Sequence, residues 1–233
     1  MTRALVLVEG ETEESFVNDV LAAHLRGYGY LAVSARLVGN ARLRSRRGGI
    51  RGWDSARKDV IRHLRQDDEW LVTTMVDYYA LPQTGSRAWP GREVAGRLPL
   101  EQRASAVESA LLQDVCNELG DDFNPRRFIP FVVMHEFEGL LFSDCDRFAS
   151  GIGQQHLARD FQQIRSAFRS PEEINDSPLT APSKRIEELF PSYQKPLHGN
   201  LAMLEMGLTV IRQECPHFAD WLARLEQWPR WST

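Results

Sequence analysis

Three apolar runs in this chain each stop at an acidic residue. Ala4–Val8 (Ala-Leu-Val-Leu-Val) ends at Glu9, Trp70–Val76 ends at Asp77, and Arg127–Met134 is followed by His135, Glu136 and Glu138. If the runs are parallel strands, their carboxyl ends share one edge of a sheet, which is where ligands gather in open α/β folds. Converging carboxylates repel one another unless a cation lies among them. Hard oxygen donors with room for water and phosphate suit Mg²⁺ or Mn²⁺. The chemistry to expect is metal-assisted hydrolysis of a phosphate ester. Any one of these acids alone is better explained by the chain leaving its core; the repetition favours a site. Glu136 and Glu138 share a face if the strand persists to 138, and only one can reach the site if a helix starts at His135. His135 beside a buried strand reads as structural.

The elements that would position these acids alternate. The run at Ala4–Val8 is a buried strand, and Thr12 can cap the helix that follows, with Glu13 and Glu14 in its first turn. Phe16, Val17, Val20, Leu21 and Leu25 fall on one face of that helix. Leu31–Val38 predicts a second strand, and Ala56, Val60, Ile61 and Leu64 a second helix. Trp70–Val76 predicts the third strand, Tyr78–Leu100 an extended loop, and Val107 to Leu119 a third helix. Pro130 inside Arg127–Met134 predicts an edge strand or a bulge. Beyond His135 the chain turns helical, with Leu197–Arg212 apolar on one side and a closing helix around Trp221, Leu222, Leu225 and Trp228. The expected fold class is α/β: a mainly parallel, Rossmann-like sheet flanked by helices, with a helical C-terminal extension. The expected division is an α/β domain over 1–145 and a helical region over 146–233 packed on it.

Composition narrows the function classes. The chain has 233 residues, a formal net charge of −4 and 42% hydrophobic residues, ordinary values for a globular protein. No run has the length of a membrane span, and the opening apolar run is too short for a signal peptide. The expected location is the cytoplasm, with no membrane partner. Cys116, Cys145 and Cys215 form no CxxC pair and imply neither a disulfide framework nor a zinc site. The segment 40–51 carries Arg42, Arg44, Arg46, Arg47 and Arg51 and no acid. Arginine suits bidentate phosphate contact, so this segment is the candidate nucleic-acid footprint despite the negative total. A basic loop meeting an acidic protein is the competing explanation. Tyr78 and Tyr79 read as packing or substrate contacts.

The run Val8-Glu9-Gly10-Glu11-Thr12-Glu13 resembles the opening motif of the Toprim fold, shared by topoisomerases, bacterial primases and the overcoming-lysogenization-defect (OLD) nucleases. Further segments carry the likeness along nearly the whole chain: Asp77-Tyr78-Tyr79, His135-Glu136-Phe137-Glu138-Gly139, Pro171-Glu172-Glu173, Pro182-Ser183-Lys184-Arg185, Tyr193-Gln194-Lys195 with His198-Gly199, and Cys215-Pro216-His217-Phe218. Together they look like a bacterial Toprim-like family catalogued as a domain of unknown function, DUF4276. The resemblance implies a Toprim-like fold in which Glu9 is the invariant glutamate and Glu13 the second acid of the OLD-type branch. It implies divalent metal at Glu9, Asp77 and Glu136, with Glu13 and Glu138 as further ligands or general base. It also implies a late lysine as the catalytic cation, Lys195 ahead of Lys184. The usual Asp-x-Asp is here Asp77-Tyr78-Tyr79, so the second aspartate is missing and a strict two-metal scheme is in doubt.

The resulting expectation is a Mg²⁺- or Mn²⁺-dependent nuclease, acting on DNA ahead of RNA, as the effector of an anti-phage or plasmid defence system. The resemblance adds a partner ABC-type ATPase, which must be another chain because no GxxxxGK[ST] motif occurs here. A homo-oligomer is a separate, open option that the sequence does not decide. The alternative is a non-catalytic Toprim module that docks on an ATPase or on nucleic acid as sensor or regulator. A phosphatase acting on small nucleotides shares the metal logic but calls for a closed pocket.

Overall fold

The computed structural model describes residues 2–38, 50, 52–175 and 180–231, with backbone only at 230 and 231. β1 (Arg3–Val8) is buried on both faces, as an unbroken apolar run requires of a central parallel strand. Its alternate side chains enter two cores. Ala4, Val6 and Val8 pack with Phe16, Val17 and Leu21 on one face, and Leu5 and Leu7 pack with Val60, Leu64 and Leu111 on the other.

The first helical segment follows Gly10. α1 (Glu11–Phe16) continues through a π turn (Val17–Leu21) into α2 (Ala22–Arg26). Gly10, not Thr12, holds the N-cap position, and the Glu13 carboxylate accepts the Gly10 N–H at 2.9 Å. The expected Thr12 cap is therefore replaced by the reciprocal half of a capping box, and Thr12 lies buried inside the helix. β2 (Ala32–Leu37), α3 (Trp53–Gln66) and β3 (Trp70–Asp77) follow. The expected loop after β3 contains the short α4 (Arg92–Ala95), which leads into α5 (Leu100–Leu119).

All pairings are parallel, in the order β2-β1-β3-β4, with β4 (Phe128–Ile129) and β5 (Val132–Val133) both beside β3. The expected strand at 127–134 is thus two short pieces broken at Pro130 and Phe131, at the sheet edge. The missing ladder is rebuilt by side chains. Thr74 Oγ1 accepts the Phe131 N–H and donates to its carbonyl, both at 2.9 Å, and Thr73 Oγ1 donates to Ile129 O while accepting Trp221 Nε1 at 2.8 Å. That explains two fully buried threonines in an otherwise apolar strand.

The C-terminal third comprises α6 (Cys145–Gly151), α7 (Ala158–Ser166), α8 (Pro182–Leu189), α9 (Lys195–Met206), α10 (Leu208–Glu214) and α11 (Pro216–Trp231). Its apolar side chains join the β1 face in one core: Phe148, Phe161, Met203, Phe218 and Trp221 cluster with Phe16 and Val6. The apolar segment 197–212 is two helices, separated at Gly207, whose φ is 73°. No helix among the described residues is long and apolar enough to cross a membrane.

Glu108 of α5 ties α11 to the sheet edge. Its Oε1 accepts the Val132 N–H and pairs with His217 Nε2, each at 2.8 Å, and the His217 ring stacks on Phe131. Burial alone would push the imidazolium down; the hydrogen bond and charge of Glu108 outweigh it and hold His217 above its ordinary 6.5. A raised folded-state value means stability fully present below 6.5 and lost as pH rises through the folded value. We expect the melting temperature to fall as pH climbs above 6.5, and Glu108→Gln to flatten that slope. Glu108→Ala should cost about 1–3 kcal/mol by orphaning Val132 N–H, read by denaturant titration.

Candidate metal centre at the carboxyl edge of the sheet

The sheet order makes a switch point between β1 and β3. From β1 the chain moves outward to β2 by way of α1 and α2 on one face, then returns past β1 to β3 by way of α3 on the other. Ligand crevices open at such reversals, outside the carboxyl ends of the strands. Glu9 and Asp77 flank this one: Val8 pairs with Met75 in the register, and the Asp77 N–H donates to Glu9 Oε2 at 3.3 Å.

Glu13 comes from α1 and is 6% exposed. Burial and the charge of Glu9 push its carboxyl up to about 7, against the lowering pull of the backbone N–H of Gly10. Asp77 stands well above its ordinary range, through burial first and then the charges of Glu9, Glu13, Glu138 and Glu136. Its Oδ1 is buried with no hydrogen-bond partner among the described residues, and so is Oε1 of Glu138.

Glu136 and Glu138 reach the cluster by a route that neither alternative for this segment anticipated. β5 stops at Val133, and His135 takes the left-handed backbone at φ 69°, a strained conformation for a residue with a side chain. Glu136 is extended, and a 3₁₀ helix (Phe137–Ser143) starts after it. Strand and helix are thus joined by a sharp turn, and both acids lie on either side of Lys195: Nζ is 3.6 Å from Glu136 Oε1 and 3.2 Å from Glu138 Oε2. Burial raises the Glu138 carboxyl to about 7 although Lys195 opposes it. For Lys195 burial pulls the ammonium down, but Glu138 and Glu136 outweigh it and hold the charge above the usual lysine range.

Helix starts point at the same place. Glu136 Oε2 accepts the Ser183 N–H at 3.0 Å, near the N-terminus of α8, and Lys195 is the first residue of α9. Unpaired N–H groups at helix starts favour anions. Gly199 lets α9 lie close to α1, because a Cβ there would meet Thr12 Cγ2 at 3.0 Å. Lys184, the competing lysine, pairs with Glu187 on its own helix instead.

Residues that sequence reasoning had not weighed also stand here. Tyr193 is buried beside Glu138 and Glu136, with no partner for its hydroxyl among the described residues, and its ring stacks on His198. Ser183 and Gly199 act through backbone. Their signal was proximity to the lysines in Pro182-Ser183-Lys184 and Tyr193-Gln194-Lys195. Of the two tyrosines after Asp77, Tyr78 is buried under the Arg92 guanidinium, and Tyr79 is exposed and stacked on His135. Arg42, Arg44, Arg46, Arg47 and Arg51 lie outside the described residues.

The donor set fits a hard divalent ion. It is all carboxylate, two of its buried oxygens have no hydrogen-bond partner among the described residues, and burial with neighbouring negative charge raises the proton affinity of Glu13, Asp77 and Glu138. Among the described residues no three His, Cys, Asp or Glu side chains stand, as the structure places them, where they could hold a metal ion together; Lys195 is the counter-charge between Glu136 and Glu138. Glu9, Asp77 and Glu13 or Glu138 are the residues that would hold the ion.

A family model described as "Domain of unknown function (DUF4276)" matches residues 8–226. The chain belongs to this DUF4276 family. The match starts at the last residue of β1 and ends within α11, so it takes in Glu9, Glu13, Asp77, Glu136, Glu138 and Lys195. No curated protein and no solved structure matches the chain.

The raised carboxyls carry a stability cost with a defined direction. Acids whose folded-state values exceed the unfolded ones contribute stability that is present at low pH and lost as pH rises, toward about 7 for Glu13 and Glu138 and in the same direction for Asp77. In chelator at pH 8, Asp77→Asn should therefore melt above the parent protein, by at least the ~2–4 °C that corresponds to roughly 1 kcal/mol. Mg²⁺ or Mn²⁺ should raise the melting point of the parent and leave that of Asp77→Asn unmoved.

Proposed function

We propose that this DUF4276 protein is a metal-dependent nuclease that hydrolyses nucleic-acid phosphodiesters at the carboxyl edge of its sheet. The observation that carries the reading is the meeting of Glu9 and Asp77 at neighbouring strand ends, with a buried Asp77 oxygen that has no hydrogen-bond partner among the described residues. A buried carboxylate oxygen without a partner, such as Asp77 Oδ1, is costly to maintain, so its retention points to a use. Strongly raised carboxyls in a crevice mark functional sites.

The ion, Mg²⁺ or Mn²⁺, would supply charge neutralisation on the scissile phosphate and a lowered pKa for attacking water. Glu9 and Asp77 hold position because both sit at the ends of buried strands. Glu13 and Glu138, pushed up to about 7, are poised to take or give a proton near neutrality. Lys195 Nζ keeps its charge throughout and serves the developing charge on a phosphate or leaving oxygen. Its pairing with Glu136 and Glu138 fixes its direction.

The reading extends to biology through the Toprim and OLD resemblance: an effector in anti-phage or plasmid defence, working in the cytoplasm with a separate ABC-type ATPase and acting on DNA ahead of RNA. The arginines of 42–51 are assigned the backbone contacts of the substrate. A non-catalytic module that docks on an ATPase or nucleic acid is the second reading. Its support is that Lys195 already neutralises two of the carboxylates and that Tyr79 replaces an acid.

Supercoiled plasmid and tRNA incubated with Mg²⁺, Mn²⁺ or EDTA test the proposal, with and without the ATPase. Metal-dependent cutting that disappears in Glu9→Ala is expected, and Lys195→Met should slow it about 10²–10³-fold. Cutting that persists in EDTA or in Glu9→Ala contradicts this site; binding without cutting under every condition favours the second reading.

A further inference from the structure

Tyr79 stands where the Toprim resemblance implies an acid, and it has defined ring contacts on several sides. It is 45% exposed on the 3₁₀ turn Tyr78–Ala80 that follows Asp77 directly. Its ring lies parallel to the His135 ring, with centroids 5.2 Å apart and planes 11° apart. Tyr78 meets it edge-on at 5.3 Å and 90°. Behind Tyr78 lies Arg92, 2% exposed, with its guanidinium 3.8 Å above the Tyr78 ring and its Nε donating to Tyr78 O at 2.9 Å. The same guanidinium is 5.8 Å from the centre of the Tyr79 ring. Arg92 makes no ion pair with a carboxylate among the described residues.

Two unfavourable features are thus maintained around one exposed ring. His135 keeps a left-handed backbone, and Arg92 is a buried cation held by the Tyr78 carbonyl, the Gln83 side-chain amide oxygen and aromatic faces in place of an acid. Strain and buried charge persist where the surrounding structure has a use for them. Their joint effect is to brace the Tyr79 ring between Tyr78 and His135, with the Arg92 charge near it. Two residues of backbone, about 7 Å at most, separate Tyr79 from Asp77. That is the scale of one nucleotide.

We propose that Tyr79 is a stacking platform for a nucleobase next to the scissile phosphate, so that the substrate is single-stranded nucleic acid. The inference rests on the nuclease reading and narrows its substrate. Bases in a duplex are covered on both faces by their neighbours, and only an unpaired base can offer a face to a side chain. Aromatic stacking tolerates any base, so the platform selects for strandedness and not for sequence.

The test is equilibrium binding of a short single-stranded oligonucleotide carrying 2-aminopurine, and of its duplex, by the full chain in EDTA and in Ca²⁺. The parent protein, Tyr79→Ala, Tyr79→Phe and Tyr79→Trp are compared, each with its melting temperature. Tyr79→Ala should weaken single-strand binding by about 10-fold or more, abolish the quenching of 2-aminopurine, and leave duplex binding within about 2-fold. Tyr79→Phe and Tyr79→Trp should retain both signals. Unchanged single-strand affinity in Tyr79→Ala overturns the inference and leaves the nuclease reading standing. Equal losses for both polymers with a lowered melting temperature overturn it in favour of a purely structural ring. A parent protein that binds neither polymer overturns both.

Discussion

Mutual repulsion among five carboxylates is the constraint around which this molecule is arranged. Glu9, Glu13, Asp77, Glu136 and Glu138 act on one another electrostatically, and Asp77 feels all four of the others. In water such a group would disperse. Here each acid is anchored: Glu9 and Asp77 by strands buried on both faces, Glu13 by its bond to Gly10, Glu136 by the N–H of Ser183, and Glu138 by Lys195. The cost is met by packing elsewhere, above all by the large core that joins the β1 face to the C-terminal helices. Those helices are therefore more than a cover. α8 brings an N-terminus to Glu136, and α9 brings the one ammonium that lies between Glu136 and Glu138.

The second structural problem is the edge of the sheet. Pro130 cannot donate to the ladder, so β3 reaches across the gap with Thr73 and Thr74, and α11 closes over it through Trp221 and His217. The edge carries the turn at His135 and hence the two glutamates beyond it. Stability at Glu108 and geometry at Glu138 are linked through this short segment.

Much of this was legible in the chain itself, for identifiable reasons. β1 is a continuous apolar run and β3 is one but for Thr73 and Thr74, short enough to suit doubly covered parallel strands, so their acidic ends could be placed at one edge. Pro130 announced the break in the last strand. The turn at His135 was not legible, because histidine visits the left-handed region only occasionally and nothing beside it in the chain calls for a turn there; the tertiary setting imposes it. Thr12 looked like a cap because its type suits one, yet the glutamate at 13 takes the Gly10 N–H and Thr12 is used for contact with Gly199. Nothing in the immediate neighbourhood of Lys184 or Lys195 separates them. The difference arises from where α8 and α9 lie, which depends on close approach at Gly199 and at Gly151, whose Cβ would stand 2.8 Å from Ala202 Cα. Arg92, a buried cation inside what read as a loop, had no sequence signal at all.

The central claim is that these carboxylates are gathered for a divalent ion. Anomalous scattering from crystals soaked in Mn²⁺ addresses it directly, without relying on a substrate or a partner. The account predicts a manganese peak bounded by Glu9 and Asp77, with Glu13 or Glu138 completing the ligands, and its loss in Asp77→Asn. A crystal that takes up no manganese at this edge, with Lys195 still paired to Glu136 and Glu138, would contradict it.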